Sequence, residues 1–219
     1  MCQQEFARSV AEVIQENVVV KRSRERSALA LNLALVVAFI SPAFAKKEIS
    51  IRTAHHDSRE EQTADQLKKL IGSYDLTKYT FTRDVTIDRG AMNHAFPELT
   101  LNARFANVPD DLLSSYIHEQ LHWYLRDHDM QQKAAINELR QMYPNAPVGL
   151  PQGADTAYST YGHLVDCYLE IEADRQLIGP ERTLATIRNK GHYTWIYETI
   201  LRDEARIAAV VDEHHLRIK

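Results

Sequence analysis

The sequence predicts an α+β domain, with a small N-terminal β-sheet, a helix packed across it and a helical C-terminal part. Three observations lead there. Short alternating runs are confined to residues 47–105. Segments with helical periodicity fill most of residues 108–214. A basic run followed by an apolar run, residues 21–45, stands apart from both. Strands followed only by helices argue for segregated layers rather than an alternating α/β fold.

Lys21, Arg22, Arg24 and Arg26 form a basic stretch, Ala28 to Ile40 an apolar one, and Ala43-Phe44-Ala45 the small-residue pattern that signal peptidase reads. The expectation is a secretory signal cleaved after Ala45, with residues 1–20 as an extension ahead of it. Residues 1–45 are thus set apart from one domain over 46–219. This implies a periplasmic or secreted protein; an uncleaved N-terminal anchor is the alternative. The apolar run is short for a bilayer, so no stable membrane span is expected after cleavage.

Residues 47–53 alternate as a strand. Residues 58–72 place Leu67, Leu70 and Ile71 among charges, an amphipathic helix ending at Gly72. Residues 78–87 alternate again, 88–97 read as a loop, and 99–105 as a third strand. Pro109-Asp110-Asp111 then opens a helix running to about His128, with apolar residues at 113, 117, 121, 124 and 125. This helix is expected to pack across the sheet. A further helix covers about 131–142. The Pro- and Gly-rich stretch 144–153 is a loop. A long helix from Thr156 or Ser159 to Ile178 stops at Gly179-Pro180. A short helix over 181–187 and a final one over about 193–214 complete the chain.

The chain of 219 residues carries a formal net charge of −4. An acidic chain argues against a nucleic-acid partner. Of its two cysteines only Cys167 lies beyond residue 45, so a disulfide within the exported chain is excluded and Cys167 reads as a small buried residue.

Chemistry concentrates in His118-Glu119-Gln120-Leu121-His122. On a helix, residues four apart share a face, so His118 and His122 converge as two ligands for one zinc ion per chain. Glu119 is offset around the helix, where it can take a proton from water at the open coordination position. Ordinary hydrogen-bonded core histidines are the plainer reading. A catalytic zinc takes a third protein ligand. His163, Asp166 or Cys167, Glu170 and Asp174 recur at three- and four-residue steps on the long helix, which equally describes a solvated charged face.

His118-Glu119-x-x-His122 followed by Glu170-Ile-Glu-Ala-Asp174 resembles the gluzincin metallopeptidases, in particular their prenyl-protein and outer-membrane-assembly types. The likeness runs from Ser114 to Arg175. It implies Glu170 as third zinc ligand, Asp174 as a carboxylate steadying a ligand histidine, and a peptide or protein as substrate. His163 is an addition to the pattern and the alternative ligand, followed by Asp166 and Glu172. The expected activity is peptide-bond hydrolysis by an exported enzyme; the alternative is an exported metal-binding or interaction protein without turnover. An oxyanion donor would come from Lys190-Gly191-His192-Tyr193, with His192 and Tyr193 as candidates; Trp195 and Tyr197 read as core aromatics. His55-His56 and His214-His215 read as surface residues, and His94 is left unassigned.

Overall fold

A computed structural model describes residues 48–219. The signal segment and the extension before it lie outside the described residues. The domain is mostly helical, with one small sheet, consistent with an α+β class.

Strand β1 (Ser50–Thr53) is joined by helix α1 (Ser58–Ser73) to β2 (Asp84–Ile87), and β3 (Leu99–Leu101) follows. All pairings are parallel, in the order β1-β2-β3, with Ile51 opposite Val85 and Val85 opposite Leu99. Parallel strands need a crossover, which α1 supplies between β1 and β2. Asp57 caps α1 by accepting from the amides of Arg59 and Glu60.

The second and third strands are shorter than their sequence patterns, for one reason: side chains capture the backbone. The fully buried Gln120 accepts from the amides of Phe81 and Thr82 (2.7 and 2.8 Å) and donates to the Thr82 carbonyl (2.8 Å), so this segment is spent on a side chain and not on a ladder. Asn102 ends β3 by accepting from the Arg104 amide, opening a 3-10 turn over Ala103–Phe105.

Helix α2 (Pro109–Asp127) has Pro109 in its first turn and packs on α1, β3 and helix α4 (Ala157–Ile178). Leu112, Leu113, Ile117 and Leu121 are fully buried along it. Helix α3 (Asp129–Met142) turns back onto α4. The α4 helix is buried on nearly every side, which marks it as the centre of the domain. After Gly179, at φ 84°, come α5 (Pro180–Asn189), α6 (Thr194–Arg202) and α7 (Glu204–Glu213). The expected single final helix is broken at Asp203, whose side chain is taken by Arg202 and by the Tyr143 hydroxyl. Among the described residues no helix is long and apolar enough to cross a membrane.

Candidate metal centre

Helices α2 and α4 face each other through polar side chains, all of them buried. His118, Glu119, His163, Asp166, Glu170 and Asp174 each expose less than a tenth of their surface. The stripe on α4 is therefore the inner face of the domain, not a solvated one.

His118 and His122 stand one turn apart, with ring centroids 4.9 Å from each other. The Nε2 atom of each lies 3.2 Å from the same oxygen, Oδ2 of Asp166. His163 closes the group: its ring is 5.6 Å from His118 and 5.3 Å from His122, and one ligand atom from each of these four residues falls within 4.8 Å of every other. Two donors about 2.0 Å from a zinc ion at tetrahedral positions stand roughly 3.3 Å apart, so the histidine–Asp166 separations match an edge of that polyhedron. Both Asp166 oxygens are buried without a hydrogen-bond partner. A buried carboxylate so placed needs a cation or a proton; burial pushes Asp166 up to about 7. Three imidazoles and a carboxylate are a donor set suited to zinc.

The Glu170 carboxylate does not share this point. His118 donates from Nδ1 to Glu170 Oε2 at 2.9 Å, so the imidazole spans two turns of α4, with Asp166 at Nε2 and Glu170 at Nδ1. Asp166, and not Glu170, meets both histidine Nε2 atoms, while Glu170 groups with His118 and Cys167 in a second set of possible donors within 4.8 Å of one another. The reason is the four-residue step from 166 to 170, which offers one carboxylate to each ring nitrogen. Of the downstream carboxylates it is Glu170, and not Asp174, that accepts from His118 Nδ1. Asp174 lies one turn further, its Oδ1 buried without a partner, and burial next to the Glu170 charge raises its pKa. Glu172, the remaining carboxylate considered, pairs with Arg175 and Arg217 instead.

Glu170 is saturated with donors. Besides His118 it accepts from Ser114 (2.6 Å), from Tyr197 (2.8 Å) and from Lys190. Burial alone would raise its pKa, but Lys190 and His118 outweigh that and hold it well below the usual carboxylate range. Ser114, Tyr197 and Lys190 were not singled out as site residues in the sequence. Tyr197 reads there as core, and Lys190 figures only as the start of the run that carries His192 and Tyr193.

His163 donates from Nδ1 to the Ser159 carbonyl at 2.7 Å, which leaves the lone pair of Nε2 toward the cluster. Burial, with His118 nearby, drives His163 down to about 4 and so keeps it neutral. The same burial, with His118 and His163 beside it, lowers His122. Neutral imidazoles are the ligand form.

A cavity of about 440 Å³ meets this cluster at His118. Glu119, Arg104, Phe105, Leu150 and residues 189–193 also line it. Burial raises the Glu119 pKa. Both oxyanion candidates are present: Tyr193 sits against His163 (ring centroids 4.4 Å) and its hydroxyl is pushed up to about 12 by burial, while burial and Lys190 bring His192 down to about 4. At neutral pH the Tyr193 phenol is thus a donor. Cys167 is buried and free.

The other histidines have partners elsewhere. His94 pairs through its backbone with Thr100 and through Nδ1 with the Met92 carbonyl. His55 binds the Glu60 carboxylate at 2.9 Å, and His214 binds Glu138 at 2.8 Å. No family model, curated protein or solved structure matches this chain.

Proposed function

We propose that this chain is a zinc-dependent metallopeptidase of gluzincin-like sequence pattern, exported through its N-terminal segment, in which His118, His122 and Asp166 hold one zinc ion. The single observation that carries the reading is the Asp166 carboxylate, buried with neither oxygen hydrogen-bonded, equidistant from two histidine Nε2 atoms beside a glutamate-lined cleft. Zinc on such ligands supplies a Lewis acid that lowers the pKa of a coordinated water to about 7. Glu119, lining the cleft with its pKa raised by burial, is placed to accept a proton from the attacking water and return it to the leaving amine. Tyr193 lines the cleft, and its neutral phenol would be the donor for the developing oxyanion. With a metal on Nε2, His118 would keep its Nδ1 proton for Glu170, which would hold the ring in place. The cleft holds a short length of a peptide or protein substrate.

One observation favours a second reading. If His163 binds together with His118, His122 and Asp166, four protein donors fill a tetrahedral site, and a filled site is structural. The chain would then be a metal-binding protein without turnover. Zinc stoichiometry of purified protein, followed by peptide hydrolysis before and after chelation, separates the readings. One zinc per chain with chelator-sensitive hydrolysis is the expected result. One zinc with no hydrolysis of a broad peptide library favours the second reading, and no zinc refutes both.

A further inference from the structure

Residues 190–193 link α5 to α6 and form one wall of the cleft, yet their own backbone holds them weakly. The Lys190 amide donates to the Ile187 carbonyl and the Tyr193 carbonyl accepts from the Tyr197 amide, while Gly191 and His192 make no backbone hydrogen bonds among the described residues. Tyr193 sits at φ 57°, a conformation that non-glycine residues rarely adopt, and so depends on its surroundings for its place. The inward anchor of this stretch is the Lys190 side chain. It is only 12 % exposed, its Nζ donates to Glu170 Oε1, and it lies 5.2 Å from the centre of the Tyr197 ring. The other Glu170 oxygen accepts from His118 Nδ1 and from Tyr197.

We propose that Lys190 is a positioning residue which, through Glu170, fixes the His118 ring and the 190–193 wall as one unit, so that metal binding and the shape of the cleft are coupled. The proposal rests on the zinc reading above. A buried carboxylate keeps its place only while its charge is compensated, and removing one partner of a buried ion pair leaves the other to rearrange. If Lys190 were lost, Glu170 would have two neutral donors and one imidazole, and the wall would lose its inward tether. By linkage, whatever the wall gives to the metal site, the metal gives back to the wall.

The test measures zinc affinity, by competition with a chromogenic chelator, for wild type, K190M, E170Q and the double variant. K190M and E170Q should each weaken zinc binding about ten- to a hundred-fold, the range for groups that orient a ligand histidine. The double variant should be no weaker than the worse single one, since both act through the same bond. A residue that only stabilises the fold would lower the melting temperature and leave zinc affinity unchanged. K190M within two-fold of wild type, or losses that multiply in the double variant, would overturn the proposal. Should K190M fail to fold, wild type still decides: adding zinc should slow amide exchange at residues 190–193, and unchanged exchange there overturns it. Wild type that binds no zinc at all refutes the metal reading itself, whatever the variants do.

Discussion

His118 donates from Nδ1 to Glu170 at 2.9 Å, and this bond assigns the roles of both residues. It occupies Nδ1, while Nε2 faces Asp166 at 3.2 Å. In the proposed zinc site Asp166 is then the ligand and Glu170 stands behind His118.

Removing the two carboxylates should therefore have unequal effects. D166A should abolish most zinc binding, as H118A and H122A should. E170Q should weaken it about ten- to a hundred-fold. Equilibrium dialysis against buffered zinc measures both, and the reverse order would restore Glu170 as the ligand.

His163 is the fourth donor of the cluster but not one the catalytic reading requires. H163A should keep one zinc per chain with affinity within about ten-fold of wild type. A loss as large as that of H122A would mean a four-ligand, filled site and would favour the reading without turnover.

Tyr193 should act on the transition state more than on binding. Y193F should retain zinc and lower kcat by about a hundred- to a thousand-fold, the range for losing one oxyanion donor, with KM little changed. A Y193F enzyme with wild-type kcat would remove Tyr193 from the mechanism.

Outside the candidate metal centre, Glu60 staples the first loop. It is fully buried and accepts from the His55 amide, the His55 ring and the Arg89 amide. Burial would raise its pKa, but these donors outweigh that and hold it at about 2, while the same contact raises His55 above 6.5. A depressed carboxylate stabilises the fold above its unfolded value of 4.5 and loses that contribution as pH falls toward 2. A raised histidine stabilises it below 6.5 and loses that contribution as pH rises through its folded value. The melting-temperature deficit of E60Q against wild type should thus be largest between 4.5 and 6.5 and shrink on acidification to pH 2. A deficit that does not vary with pH would show that the charge is not what matters.

Much of this was legible in the sequence because periodicity reports burial. The α2 and α4 helices, the stop at Gly179 and the pairing of His118 with His122 all follow from spacing. The extents of β2 and β3 did not, because Gln120 and Asn102 compete for the backbone from a distance that local alternation does not register. Gln120 reads as a filler inside the histidine motif, yet Q120L would strand the amides of Phe81 and Thr82. It should cost about 1–3 kcal/mol in denaturant unfolding, with zinc still bound. The choice between Asp166 and Glu170 was equally closed to the sequence. Both lie on one helix face one turn apart, and only the tilt of the His118 ring across the α2–α4 interface decides which nitrogen each carboxylate meets.

The central claim is that this site hydrolyses peptide bonds with Glu119 as the base. Its most direct test is the turnover of a peptide library by zinc-loaded E119Q beside zinc-loaded wild type. Glu119 lines the cleft and adjoins His118 without converging on the ligand cluster. E119Q should keep its zinc and its melting temperature while turnover falls at least about a hundred-fold, the lower end for losing a general base. Turnover equal to wild type with zinc retained would contradict the account.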